Sequence, residues 1–250
     1  MTTRTRLVLC AVAGTVVAAV MAGALRQLPT FGSAHHPYGD RTVALAAGPL
    51  ATANVVSSIN FAQRAIDTLG EEFLLFVSVV GTLVLLRAEP GERPVRGVRQ
   101  AGRVFPGSRL YGYVMLPVTT LLALVLITHG HLTPGGGFQG GVVLATAWHL
   151  LYIAGRYAAL RRAVPVGALE VGDAAAAAAF LALGLAGTVL TGTFLAELLP
   201  PGSLGAYLSG GSVAVLNVAV GVEVASGIVL LLQAFLRQAI ELRDPPAAAE

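Results

Sequence analysis

Residues 129–141 read His-Gly-His-Leu-Thr-Pro-Gly-Gly-Gly-Phe-Gln-Gly-Gly and join two apolar runs, 111–128 before and 141–157 after. Lipid offers no hydrogen bonds, so unwound backbone beside a bilayer is tolerated only where protein buries it or water lines it. The stretch therefore points to an ion pathway or to a contact between subunits. Three consecutive glycines permit positive φ and close backbone approach, Pro134 fixes the way in, and Phe138 is shaped to wedge between helices. The Gly-Lys-Ser/Thr ending of a phosphate loop is missing. His129 and His131 form a His-x-His pair without a nearby third ligand, so no metal is expected. We expect a tight or re-entrant connection that meets neighbouring subunits through His129, His131, Pro134, Gly135, Gly136, Gly137, Phe138, Gly140 and Gly141.

Working outward, composition sets the class. Of the 250 residues, 55% are hydrophobic and 12% charged, whereas soluble domains carry about a quarter charged residues. The chain reads as an all-α integral membrane protein. Crossing about 30 Å of hydrocarbon takes roughly 20 apolar residues, and six segments qualify: 7–25, 69–86, 111–128, 141–157, 174–196 and 213–236. A weaker segment, 50–61, carries Asn54, Ser57, Ser58 and Asn60 and reads as a short helix at the interface. Cys10 is the lone cysteine, which excludes a disulfide framework and a cysteine metal site. All sixteen basic residues are arginine. A desolvated lysine is the adaptable proton carrier of many ion pumps, so lysine relays must belong to another chain.

Retained loops next to spans are enriched in positive charge. Thirteen of the sixteen arginines follow the second, fourth and sixth spans or precede the first, leaving Arg26, Arg41 and Arg64 for the other side. Both termini are then expected in the cytoplasm of a bacterial cell, with the glycine-rich stretch facing outward. The first span has a rival reading, a secretory signal ending at Ala22-Gly23-Ala24. Its apolar core exceeds the usual 7 to 15 residues, and it is retained as a span. Prolines and arginines between 88 and 108 mark a cytoplasmic linker. The expected organisation is a two-span front (1–88), this linker (89–108), a four-span back (109–243) and a tail (244–250). A solvated positive-inside loop explains the linker without nucleic acid.

Ionisable residues inside spans are the ones able to move ions. Glu223 lies near the middle of the last span and His149 at comparable depth in the fourth. A group withdrawn from water there is either a waypoint for a proton or Na⁺ or a paired structural contact. Asp67 and Glu71 open the second span, where the helix dipole also favours carboxylates. Small residues repeat every four positions at Gly137, Gly141 and Ala145, and at Gly184, Thr188 and Gly192. Such ridges let helices approach closely. Glu223 shares a face with Ala219, Ser226 and Gly227, which turns it toward protein.

The His-Gly-His-x-x-Pro-Gly-Gly-Gly-Phe-x-Gly-Gly pattern of residues 129–141 resembles the signature of the B subunit of Mrp-type (Mnh) sodium/proton antiporters. Residues 217–224, Asn-Val-Ala-Val-Gly-Val-Glu-Val, resemble that family's closing helix, and the likeness covers about 109–243. Upstream, Thr52-Ala53-Asn54-Val55-Val56 and Asp67-Thr68-Leu69-Gly70-Glu71 are similar to the tail of the large A subunit, which stands alone as a small subunit in membrane-bound hydrogenase complexes. Where that pattern carries an acid near position 60 this chain has Asn60, and Glu71 gains a neighbour, Glu72.

The resemblance implies a small accessory subunit of a machine related to the membrane arm of respiratory complex I, with other antiporter subunits and membrane lipid as partners. It implies a subunit that helps assemble the complex and forms part of the route for Na⁺ or protons, with Glu223, Glu71, His149 and Asp67 as path residues. Neither enzymatic activity of its own nor a cofactor is expected. Two alternatives stay open: a purely structural subunit whose acids are satisfied pairs, and a subunit of a membrane-bound hydrogenase or related redox complex.

Overall fold

The computed structural model describes residues 3–28, 30, 32, 36–87 and 104–241, the side chains of 237–241 excepted. Most of the expected linker and the expected tail lie outside the described residues. The elements, in chain order, are α1 (Thr3–Arg26), α2 (Pro37–Ala47), α3 (Val55–Ser58), a π turn (Ile59–Gln63), α4 (Ala65–Leu85), α5 (Pro106–Thr128), α6 (Gly137–Ala163), α7 (Val166–Thr191) and α8 (Ser212–Glu241). The fold is all-helical among the described residues. Among the described residues six helices are long and apolar enough to cross a membrane: α1, α4, α5, α6, α7 and α8. They coincide with the six spans expected from the sequence.

Two compact units divide the chain between Arg41 and Thr42. In the first, α1 buries none of its residues. An apolar helix of this kind satisfies its backbone internally and leaves its side chains to lipid or to other chains.

The second unit is built around α8. Leu216, Val220, Val224, Ala225, Val229 and Leu230 of this helix are fully buried, and α4, α6 and α7 pack along it, with α5 outside α6. Without a hydrophobic drive between helices in lipid, such packing rests on van der Waals fit and interhelical polar contacts. Fit is closest between α6 and α8. A methyl group added at Gly141 would lie 2.8 Å from the Gly221 carbonyl and from Val224, and one at Gly137 would run into the Asn217 carbonyl. The first expected small-residue ridge, continuing to the fully buried Ala145, therefore lies on α8. On the outer faces, Ser78, Thr82, Thr128 and Thr146 each return their hydroxyl to the carbonyl four residues earlier. Outward-facing hydroxyls need no other partner.

The weak segment 50–61 forms α3 and the start of the π turn. Asn54 caps α3, its side-chain oxygen accepting from the Val56 and Ser57 amides. Ser57, Ser58 and Phe61 are buried, and Phe61 meets Phe180 of α7 at a ring separation of 6.3 Å. The element expected at the interface is thus a short helix packed into the second unit. The π turn carries one residue more per hydrogen-bonded turn than an α-helix, which sets the rotation at which α4 begins.

Candidate functional site

The glycine-rich stretch leaves α5 through a tight turn. Gly135 and Gly136 adopt φ of 143° and 140°, a region that glycine enters without steric penalty. These two residues release the chain into α6. Two asparagines then fasten the loop. The Asn54 side chain donates to the carbonyls of Gly130 (2.7 Å) and Thr133 (2.9 Å), and its amide donates to the His131 carbonyl (3.0 Å). Asn217 of α8 accepts from the Gly137 amide (2.9 Å) and donates to Ser57 (2.7 Å) and to the Val213 carbonyl (2.9 Å). His131 is buried, and its Nε2 donates to the Tyr207 carbonyl at 3.0 Å. The His129 ring meets the Tyr207 ring edge-on, 5.1 Å away. The loop residues expected at a contact between subunits thus also clamp this chain's own front and back halves.

A cavity of about 210 Å³ lies beneath the loop, walled by Gly135, Gly136, Gly137 and Gln139, by Ser57 and Asn60, and by Asn217, Thr68, Glu71 and Glu72. Glu72 is one of three buried acids among the described residues of this unit. Glu72 of α4, Asp173 of α7 and Glu223 of α8 are each 2% exposed or less. Among the described residues no hydrogen-bond donor reaches either oxygen of Glu72 or of Glu223, or Oδ1 of Asp173. The three carboxyls are near enough to act on one another electrostatically. Small residues create the junction. Gly172 of α7 sits against Ser226 of α8 (3.0 Å to an added methyl), and Gly227 of α8 faces Val79 of α4 (3.0 Å) and the Asp173 carboxyl (3.4 Å). With Gly227 four residues beyond Glu223, Asp173 lies about 6 Å further along α8.

An uncompensated charge withdrawn from water costs several kcal/mol, and more in hydrocarbon. Buried carboxyls without donors form a stable junction only when protons or cations neutralise them. Among the described residues no three acidic, histidine or cysteine side chains close round one metal ion. Glu223 and Asp173 are instead spaced along α8.

The other expected path residues fall elsewhere. Glu71 lies on the exposed side of α4 and reaches the cavity only at its rim. Asp67 is exposed and pairs with Arg64. His149 is half-buried and bonds through Nδ1 to the Ala145 carbonyl of its own helix at 2.7 Å. Glu72 and Asp173 did not stand among the expected path residues. Their signals were a second consecutive acid in one case, and an acid beside a glycine at the mouth of an apolar run in the other.

Six apolar helices, with buried acids at a helix junction and a glycine loop, describe a polytopic membrane protein. Residues 108–230, about half of the chain, match the family described as a domain related to the MnhB subunit of Na⁺/H⁺ antiporter. That segment belongs to this family, and the chain is a subunit of antiporter type. An uncharacterised protein of Methanocaldococcus jannaschii is 29% identical over 195 residues, which is 70% of this chain and 74% of that protein. Among solved structures, a chain of the membrane-bound sulfane sulfur reductase, an archaeal respiratory membrane complex, superposes with a TM-score of 0.71 at 26% identity, covering 93% of this chain and 98% of the other. A chain of the Mrp complex from a Dietzia species superposes with a TM-score of 0.64 at 25% identity over 94% of this chain. This chain spans about a quarter of that one (26%).

Proposed function

We propose that this chain is an accessory subunit of a multi-subunit monovalent cation/proton antiporter, and that Glu72, Glu223 and Asp173 form an exchange site for Na⁺ or protons inside it. The observation that carries the reading is the burial of three mutually interacting carboxyls, with no hydrogen-bond donor among the described residues on either oxygen of Glu72 or Glu223 or on Oδ1 of Asp173. A structural role would leave such acids paired; a waypoint must leave them free to take and release a cation. The glycine loop and its cavity stand at the outward end in this reading, with both termini in the cytoplasm, as the arginine distribution favours. Other antiporter subunits are the partners, supported by the membrane complexes to which the chain is similar. The chain by itself is no enzyme and transports nothing alone, because the relays that drive exchange belong to larger neighbours.

The test is Na⁺/H⁺ exchange in vesicles from an antiporter-deficient host expressing the whole complex. Glu223→Gln should abolish exchange while the subunits still co-purify. Unchanged exchange with Glu223→Gln removes the waypoint and leaves a structural subunit. The likeness to the sulfane sulfur reductase chain favours a second reading, membership of a redox-linked complex. Co-purification with iron-sulfur subunits in place of antiporter subunits decides for it.

A further inference from the structure

The cavity beneath the glycine loop has a lining that selects a class of ligand. Its polar lining residues are Ser57, Asn60, Thr68, Glu71, Glu72, Gln139 and Asn217, and among the described residues no basic side chain lines it. Oxygen ligands with a net negative charge suit hard cations and repel anions. Glu71 is exposed at the rim, where it attracts cations from solvent, and Glu72 stands behind it, fully buried, with both oxygens unpartnered. A site for a proton alone would need no such volume. About 210 Å³ has room for an ion and several waters at roughly 30 Å³ per water molecule. Divalent ions are held by several carboxylates or in near-ideal octahedra, whereas no third acidic ligand completes a cage here among the described residues.

We propose that this cavity binds a partly hydrated monovalent cation of sodium's class, coordinated by the Glu72 carboxylate and by the neutral oxygens of Asn60, Thr68 and Gln139. The cavity is then the loading station from which the ion reaches Glu223. The assignment rests on the reading of the buried acids as an exchange site, but it names a separate place and fails separately. Asn217 acts as a positioning residue, because it ties the Gly137 amide, Ser57 and α8 into one wall.

The experiment uses the purified full-length chain in phosphatidylcholine nanodiscs, with its thermal unfolding midpoint followed in NaCl and in choline chloride at equal ionic strength. A ligand that binds the folded state raises the midpoint in a saturable way. Sodium should do so and choline should not. Glu72→Gln should weaken the apparent sodium affinity about tenfold or more. Asn60→Leu, which fills the wall without touching an acid, should have a similar effect and decides the matter if Glu72→Gln does not fold. Glu223→Gln, outside the cavity lining, should keep the sodium-dependent rise. The proposal is overturned if folded wild-type chain shows no sodium-specific rise, if neither cavity variant alters it, if Mg²⁺ acts at lower concentration than Na⁺, or if acidification alone reproduces it. Any of those outcomes leaves the Glu223 exchange test standing. Conversely, full exchange in Glu223→Gln with sodium binding intact removes only the earlier reading.

Discussion

His131 concentrates the consequences of burial in one ring. Its Nε2 donates to Tyr207, while its Nδ1 is buried without a partner. Burial holds the imidazole below the ordinary histidine range, the Tyr207 carbonyl works against this, and the charge of nearby His129 adds to it. An unfolded ring therefore takes up a proton before the folded one. The stability contributed by the buried neutral ring is complete above the ordinary histidine value and is lost as pH falls through the lowered value of the folded state. Because the His131 carbonyl accepts from the Asn54 amide, hydrogen exchange at Asn54 reports the latch. Corrected for intrinsic rates, exchange there should quicken a few-fold between about pH 7 and pH 5, and His131→Gln should flatten the dependence. A flat profile in the wild type would dismiss the idea. The acids show how far single residues can be read from sequence. Glu223 was legible because its helix face carries Ser226 and Gly227. Glu71 and Glu72 stand about 100° apart on a helix, and only the rotation imposed by the π turn and the packing of α4 on α8 turns Glu72 inward. Asp173 escaped because the apolar run begins one residue after it, while helix α7 starts at Val166.

At the scale of elements, α6 and α8 are the pair on which the rest depends. Gly141 has no free space beside the Gly221 carbonyl and Val224. Gly141→Val should push the two helices apart, at a cost of about 1–3 kcal/mol typical of overpacking, and should lower the unfolding midpoint or shift the chain to aggregates on size exclusion. Gly81→Ala in α4 is the control, since nothing lies within 4 Å of a methyl added there; it should be neutral or slightly stabilising. Equal behaviour of the two variants would contradict the close approach. Hydropathy located every long helix because an apolar run of span length has few other uses. The ends were less legible. Helix α6 resumes after a break at Arg156 (φ 65°) and runs through Arg161 and Arg162, and α7 starts ahead of Glu170, both beyond the limits of the apolar runs. Helix α2 is too short and too polar for a span, and its signal was only Pro37 at the first helical position. The α3 segment looked interfacial because its asparagines and serines suggest water. Those groups are instead used within the protein, where Asn54 and Ser57 bind the glycine loop and Asn217.

Over the whole molecule, the front and back of the second unit are held by contacts that cross long stretches of chain. Asn54 reaches Gly130 and Thr133, Ser57 reaches Asn217, and α4 lies against α7 and α8. Hydrogen bonds of this kind contribute about 0.5–1.5 kcal/mol each, and the helix packing adds to them. On these contacts, the two parts of the second unit should hold together even when the chain is cut within residues 88–103. A gene divided within that stretch, its two products made in one cell, should yield fragments that find each other and co-purify at near-equal amounts. Asn54→Ala with Ser57→Ala should weaken that pairing. Independent fragments would mean that the peptide chain itself supplies the union. If they do associate, the boundary between one subunit and two is a matter of where a stop codon falls, and the same ion-handling core can be inherited either fused or as separate genes.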